Sequence, residues 1–323
     1  MATSHEQIAD LYDSVAVQAE GVGAAAQQVL GSITETVTPV LTTLPVENAT
    51  VLAGVEAARV ALDEVAEHDK GLSTQVGELL VLLGRVGVKA DTVAEHVRVV
   101  TSAYATGRVA ATTNVYERLE ALVVGHANAQ QVVDGVDTLF GATEQKVDEL
   151  ETTSDKARYE AAQAPVSPQA QEAVVTASAD VRHTHRNTEH VTEALDDARE
   201  HLKDGGNNLV ATADFMGEAP RSNLTSYETT LTTLDRISAA AAELVVALQT
   251  VFEQGKLDTA AEVDALETVL DRVTGLVRDH AIETEGAATQ IKLATEHTTA
   301  VARHAHNAEE TNRAAAAAIR GQQ

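Results

Sequence analysis

The chain has 323 residues, 44% of them apolar but only 2% aromatic, with no Trp and no Cys. Its formal net charge is −26, spread along the chain rather than gathered in a tail. Disulfide frameworks and thiolate metal sites are therefore excluded, binding to nucleic acid by charge is disfavoured, and a core of Val, Leu and Ala suits closely spaced helices better than an aromatic-lined ligand pocket.

The N-terminal residues lack a basic n-region and an apolar h-region, so no secretory signal is visible, and no apolar run approaches the roughly 20 residues of a membrane span. The chain reads as cytoplasmic, with signal-independent export left open. Abundant Ala, Val and Thr, with little Lys, has the flavour of a GC-rich bacterial genome.

The first helix is expected to start at Thr3 or Ser4, where Thr3 and Glu6 fit a capping box. Its seam runs from Ile8 through Tyr12, Val15, Ala19 and Val22 to Ile33, and it is expected to end before Pro39, with 38–48 as a turn. A second helix spans about 49–68, and Asp69-Lys70-Gly71 reads as a break. A third apolar series begins at Leu72, passes Val97 and Tyr104, and continues towards Leu150. The glycines from Gly84 to Gly141 leave open whether this is one helix or several, and Gly107 or Gly125 is the expected break.

The middle boundary is sharper. Ala164-Pro165-Val166-Ser167-Pro168 ends one helix and opens another, with Ser167 as N-cap and Pro168 at the first helical position. The next seam, Val174 to Leu202, is expected to stop at Gly205-Gly206. A loop to about Arg221 follows, then a helix from Leu224 to Phe252 that Gly255 should end. Thr259 and Glu262 fit a capping box for a last helix of about 60 residues. From Val263 to Ile319 its small or apolar positions recur at steps of three and four, the seam of one helix against another.

The fold class that follows is all-α: an elongated helical bundle or antiparallel coiled coil of about six long segments. Its halves are 1–164, with three or four helices, and 165–323, with three. Arg182-His183-Thr184-His185 is echoed by Arg303-His304-Ala305-His306, and Ala24–Val29 by Ala127–Val132, so an ancient duplication is one reading.

Candidate chemistry is sparse. His183, His190 and His201 share one helix face with Glu193 and Asp197, residue types that bind Zn²⁺ or a redox metal when they converge. That face points away from the Val174–Leu202 seam, so it is read as solvated surface, with no metal and no cofactor assigned. His280 and Asn312 fall on the core seam of the last helix, where a polar residue sets register or partner choice; a pH-sensing role is conceivable for His280. No nucleophile elbow, phosphate loop or dinucleotide fingerprint occurs, so no catalytic residue is assigned and the protein is read as not an enzyme. Tyr116 and Glu120 match a loose export pattern without its Trp-x-Gly turn, a chance match.

The Ala/Thr/Glu-rich heptads resemble the cytoplasmic hairpin of chemoreceptors, although that family's Gln-Thr-Asn and Ala-Ala-Ile-Glu-Ala tip is missing. In composition alone the chain resembles the phasins that coat storage granules. Neither likeness assigns a family. The expectation is a non-catalytic structural or protein–protein interaction protein: a scaffold, spacer or adaptor that pairs with itself or with a helical partner, not with nucleic acid. The alternative is a phasin-like reversible coat on lipid or polymer surfaces.

Overall fold

The computed structural model describes the backbone of residues 4–81, 89–217, 225–236 and 241–321, and the side chains of 4–81, 93–212, 226–234 and 247–321. The protein is all-α, with long helices packed as a bundle, and no strand occurs among the described residues. Helix α1 is His5–Ser32, α2 Thr38–Val81, α3 Lys89–Val109, α4 Val115–Gln163, α5 Pro168–Gly217, α6 Thr225–Arg236 and α7 Ala241–Arg320. Two π-helical turns, Ile33–Val37 and Ala110–Asn114, join α1 to α2 and α3 to α4 without interruption.

Several expected breaks are absent. Pro39 does not end the first helix, because the turn before it is widened. The N–H of Thr38 bonds to the carbonyl of Ile33, five residues back, and the Thr38 hydroxyl donates to the same oxygen at 3.1 Å. A π-turn of this kind gives room for a proline ring that would crowd a regular α-turn. The expected turn at 38–48 is helix, and Pro45 lies inside α2. The buried stripe passes both prolines in phase: Ile33, Val37, Leu41, Leu44, Asn48, Val51.

Asp69-Lys70-Gly71 is helical, and α5 runs through Gly205-Gly206 to Gly217. The last helix is 80 residues long rather than about 60. Thr259 does not cap it; its hydroxyl donates to the carbonyl of Gly255 at 2.9 Å within the helix. Gly255 is a buried seat instead of a stop. A Cβ there would fall 2.9 Å from Cε1 of Tyr227, so only glycine lets the ring lie on the α7 backbone.

No break occurs near Gly107, where the chain stays helical through the π-turn Ala110–Asn114, and Gly125 is interior to α4. The N-terminal cap sits one residue later than expected: Gln7 N–H donates to Ser4 Oγ at 3.3 Å, and Ser4 N–H to Gln7 Oε1 at 3.0 Å. The middle boundary stands as read. Helix α4 ends at Gln163, α5 starts at Pro168, and Ala170 N–H donates to Ser167 Oγ at 3.3 Å. The expected loop after Gly206 is helix as far as Gly217, with Phe215 and Met216 inside α5, while Gly84, Gly87 and Pro220 lie outside the described residues.

Contacts group the chain into two compact units. The first is residues 1–44, 125–205 and 282–323; the second is 45–124 and 206–281. Both units take residues from before and after Pro165.

The first unit is an up-down four-helix bundle. Arg320 reaches Asp10 and Asp13 while Arg313 reaches Glu20, so α7 runs antiparallel to α1. Arg199 pairs with Asp134 while His185 pairs with Glu151, so α5 runs antiparallel to α4. Its core layers are small: Ala16, Ala19, Ala26, Ala177, Ala294 and Ala305 are all buried. A Cβ on Gly23 would stand 3.8 Å from that of Ala305, a measure of how closely α1 and α7 approach. Three buried hydroxyls are satisfied by their own helix: Thr184, Thr188 and Thr298 each donate to the carbonyl four residues back. That local bond is how Thr occupies a core seam without a cross-helix partner.

In the second unit α2 and α7 also run antiparallel, with Asn48 against His280 and Arg59 against Asp271. Arg118 of α4 donates to the carbonyl of Thr50 at 3.0 Å, and Gly107 of α3 lies against Ala61 of α2. Leu72, Val76, Val97, Val100, Tyr227 and Phe252 belong to its apolar cluster. Full burial of one such side chain stabilises the fold by about 1.5–3 kcal/mol.

Candidate functional site

The histidine face of α5 is largely exposed: His183, His190 and Glu193 face water and His201 is half-buried. In the first unit it lies along α7, and His183, His190 and His201 each meet a different group there. The rings of His183 and His304 stand 5.2 Å apart, centroid to centroid, inclined by 30°. Those of His190 and His297 are 5.0 Å apart, inclined by 41°. His201 instead faces a carboxylate: its Nδ1 lies 2.6 Å from Glu283 Oε2. The ring of His201 rests over Gly286, where an added Cβ would fall 2.9 Å from Nδ1.

Acidic groups flank this row. Glu193 Oε2 is 3.3 Å from His190 Nδ1, one helical turn along α5. Asp180 Oδ1 is 3.8 Å from His304 Nδ1, beyond hydrogen-bonding distance. His185 is held between Glu151 at 3.2 Å and Glu189 at 3.4 Å, and Asn187 Oδ1 lies 3.5 Å from His297 Nδ1. Asp197 is exposed. The five residues singled out in the sequence therefore do not meet at one point. Among the described residues, no group of three His, Cys, Asp or Glu is placed to hold a metal ion.

Burial holds the proton affinity of His304 below the ordinary imidazole value, reinforced by the charges of Arg303 and His183 and opposed by Asp180. The sequence reading overlooked His297, His304 and Glu283 as partners of this face. The echo between Arg182–His185 and Arg303–His306 was the available signal. Antiparallel pairing sets the two copies face to face.

Two polar constellations lie in the core of the second unit. His280 and Asn48 are both buried, and His280 Nδ1 donates to Asn48 Oδ1 at 2.8 Å. Tyr227 is fully buried, and its hydroxyl donates to Asp69 Oδ1 at 2.6 Å. Ser226 beside it donates to Asp258 at 2.6 Å, and Tyr104 hydrogen-bonds Glu262. These bonds tie one helix to another, each using a different helix pair.

No protein-family model matches the chain, and no curated protein matches it in sequence. Among the described residues no helix is long and apolar enough to cross a membrane.

Proposed function

We propose that the protein is a non-catalytic structural or interaction protein, a helical scaffold, spacer or adaptor. The observation that carries this reading is where the seams go. Val273 and Val277 in the second unit, and Ala294, Val301 and Ala308 in the first, are buried against other helices of the same chain. Apolar residues spent in this way build long, regular helices without a cavity chemistry at their centre. Among the described residues, what remains outward mixes charged and polar side chains with scattered apolar ones such as Val17, Val175 and Ile282, a surface for specific contacts with a helical partner or a second copy of the chain.

Sedimentation velocity across a hundredfold concentration range tests self-association, and co-flotation with anionic and neutral liposomes tests the competing coat reading. The scaffold reading expects the chain to stay in the aqueous fraction with its helical circular dichroism unchanged. Flotation with a change in helicity would replace it with a surface coat.

A further inference from the structure

We infer that the His183/His304 and His190/His297 pairs are two cross-helix chelates for a divalent transition-metal ion, set one heptad apart. The spacing is the first support. Both pairs are separated by seven residues on α5 and by seven on α7, about 10.5 Å along each helix. The antiparallel run of the two helices brings both steps into register, so the same ring–ring geometry recurs at 5.2 and 5.0 Å.

The second support is a contrast along the same face. Where His201 meets α7, an imidazole faces a carboxylate, Glu283, and makes an ordinary polar pair. At the two rungs an imidazole faces an imidazole. Two protonated rings would repel, and two neutral rings gain little from each other, but a cation between them takes a nitrogen lone pair from each side. A carboxylate stands beside each rung, Asp180 at one and Glu193 at the other, and lowers the cost of bringing the charge there. His304 Nδ1 is buried and has no hydrogen-bond partner.

Ligand type selects the ion. Imidazole suits Zn²⁺, Ni²⁺ and Cu²⁺, whereas Mg²⁺ and Ca²⁺ prefer oxygen. With two protein ligands per ion, the remaining positions belong to water, and the bound ion ties α5 to α7.

The test is calorimetric titration of the chelator-treated full-length chain with zinc chloride, repeated for His183→Ala, His190→Ala and the double variant. His183 and His190 are exposed, so these changes leave the core intact, which circular dichroism verifies. The expected result is two equivalents bound by the native chain, one by each single variant and none by the double variant. His68→Ala, an exposed histidine elsewhere, should retain both equivalents. The Cu²⁺ form should show nitrogen hyperfine structure in its electron paramagnetic spectrum, lost in the double variant. Absence of zinc binding at millimolar metal, or binding that survives in the double variant, overturns the assignment.

Discussion

His280 of α7 and Asn48 of α2 lie 2.8 Å apart, nitrogen to oxygen, as two polar side chains buried in an otherwise aliphatic stripe. Because the bond joins two helices, it is satisfied in one register and lost in any other. Asn48→Ala should destabilise the protein by about 1–3 kcal/mol, since a hydrogen bond between two buried polar side chains is then lost. Asn48→Leu combined with His280→Leu should recover much of that loss, at the expense of register. Urea midpoints of the three variants measure the difference, and a double variant no more stable than Asn48→Ala would refute the register role.

Tyr227 connects a different helix pair through Asp69. Tyr227→Phe keeps the ring over Gly255 and removes only the hydroxyl, so about 1–2 kcal/mol should be lost in chemical denaturation. Burial and the neighbouring Asp69 carboxylate raise the phenol's proton affinity above its ordinary value. A phenol with a raised folded-state pKa contributes stability below about pH 10, and that contribution is lost as pH rises above this value. The wild-type melting temperature should therefore fall in alkali, and Tyr227→Phe should show a shallower fall.

Two glycines of similar helical context should respond oppositely to alanine. A Cβ on Gly107 would stand 3.1 Å from the backbone oxygen of Ala61, an atom that cannot swing aside, whereas Gly141 has nothing within 4 Å. Gly141→Ala should raise stability by up to about 1 kcal/mol from helix propensity alone. Gly107→Ala should lower it by about 1–3 kcal/mol as the α2–α3 contact is forced apart. Thermal melts of both variants, made in parallel, check the sign.

Acid should weaken the fold through one buried and one half-buried imidazole. Burial depresses the proton affinity of both His126 and His304 below the unfolded value. Such groups contribute stability above about pH 6.5, which is lost as pH falls below it, because the unfolded chain then binds the protons more readily. The melting temperature should decline between pH 7 and 5. His126→Gln should flatten that decline; an unchanged slope in this variant would remove His126 as a contributor.

The long seams were legible because period alone tells which positions face inward, and Val273, Val277, Ala294 and Ala305 are buried as their spacing implies. Gly205, Gly255 and Pro39 were misleading because a residue's intrinsic dislike of helix is only about 1–3 kcal/mol, which long-range packing outweighs. Leu41, Leu44, Val51 and Val55 carry the stripe past both prolines without a change of phase, and that continuity was the better guide. The histidine face was legible as a row on α5, but its meaning was not, since the opposing rings come from more than a hundred residues away.

Helical class, the Ser167–Pro168 start of α5 and the inward positions of each helix followed from the order of residues, because capping, propensity and periodicity act over a few residues of chain. Which helix lies against which, the seating of Tyr227 on Gly255, and the pairing of His183 with His304 were settled only in three dimensions. Those relations depend on the direction and offset with which distant segments pack, and local chemistry does not encode an offset until the side chains of both partners interlock.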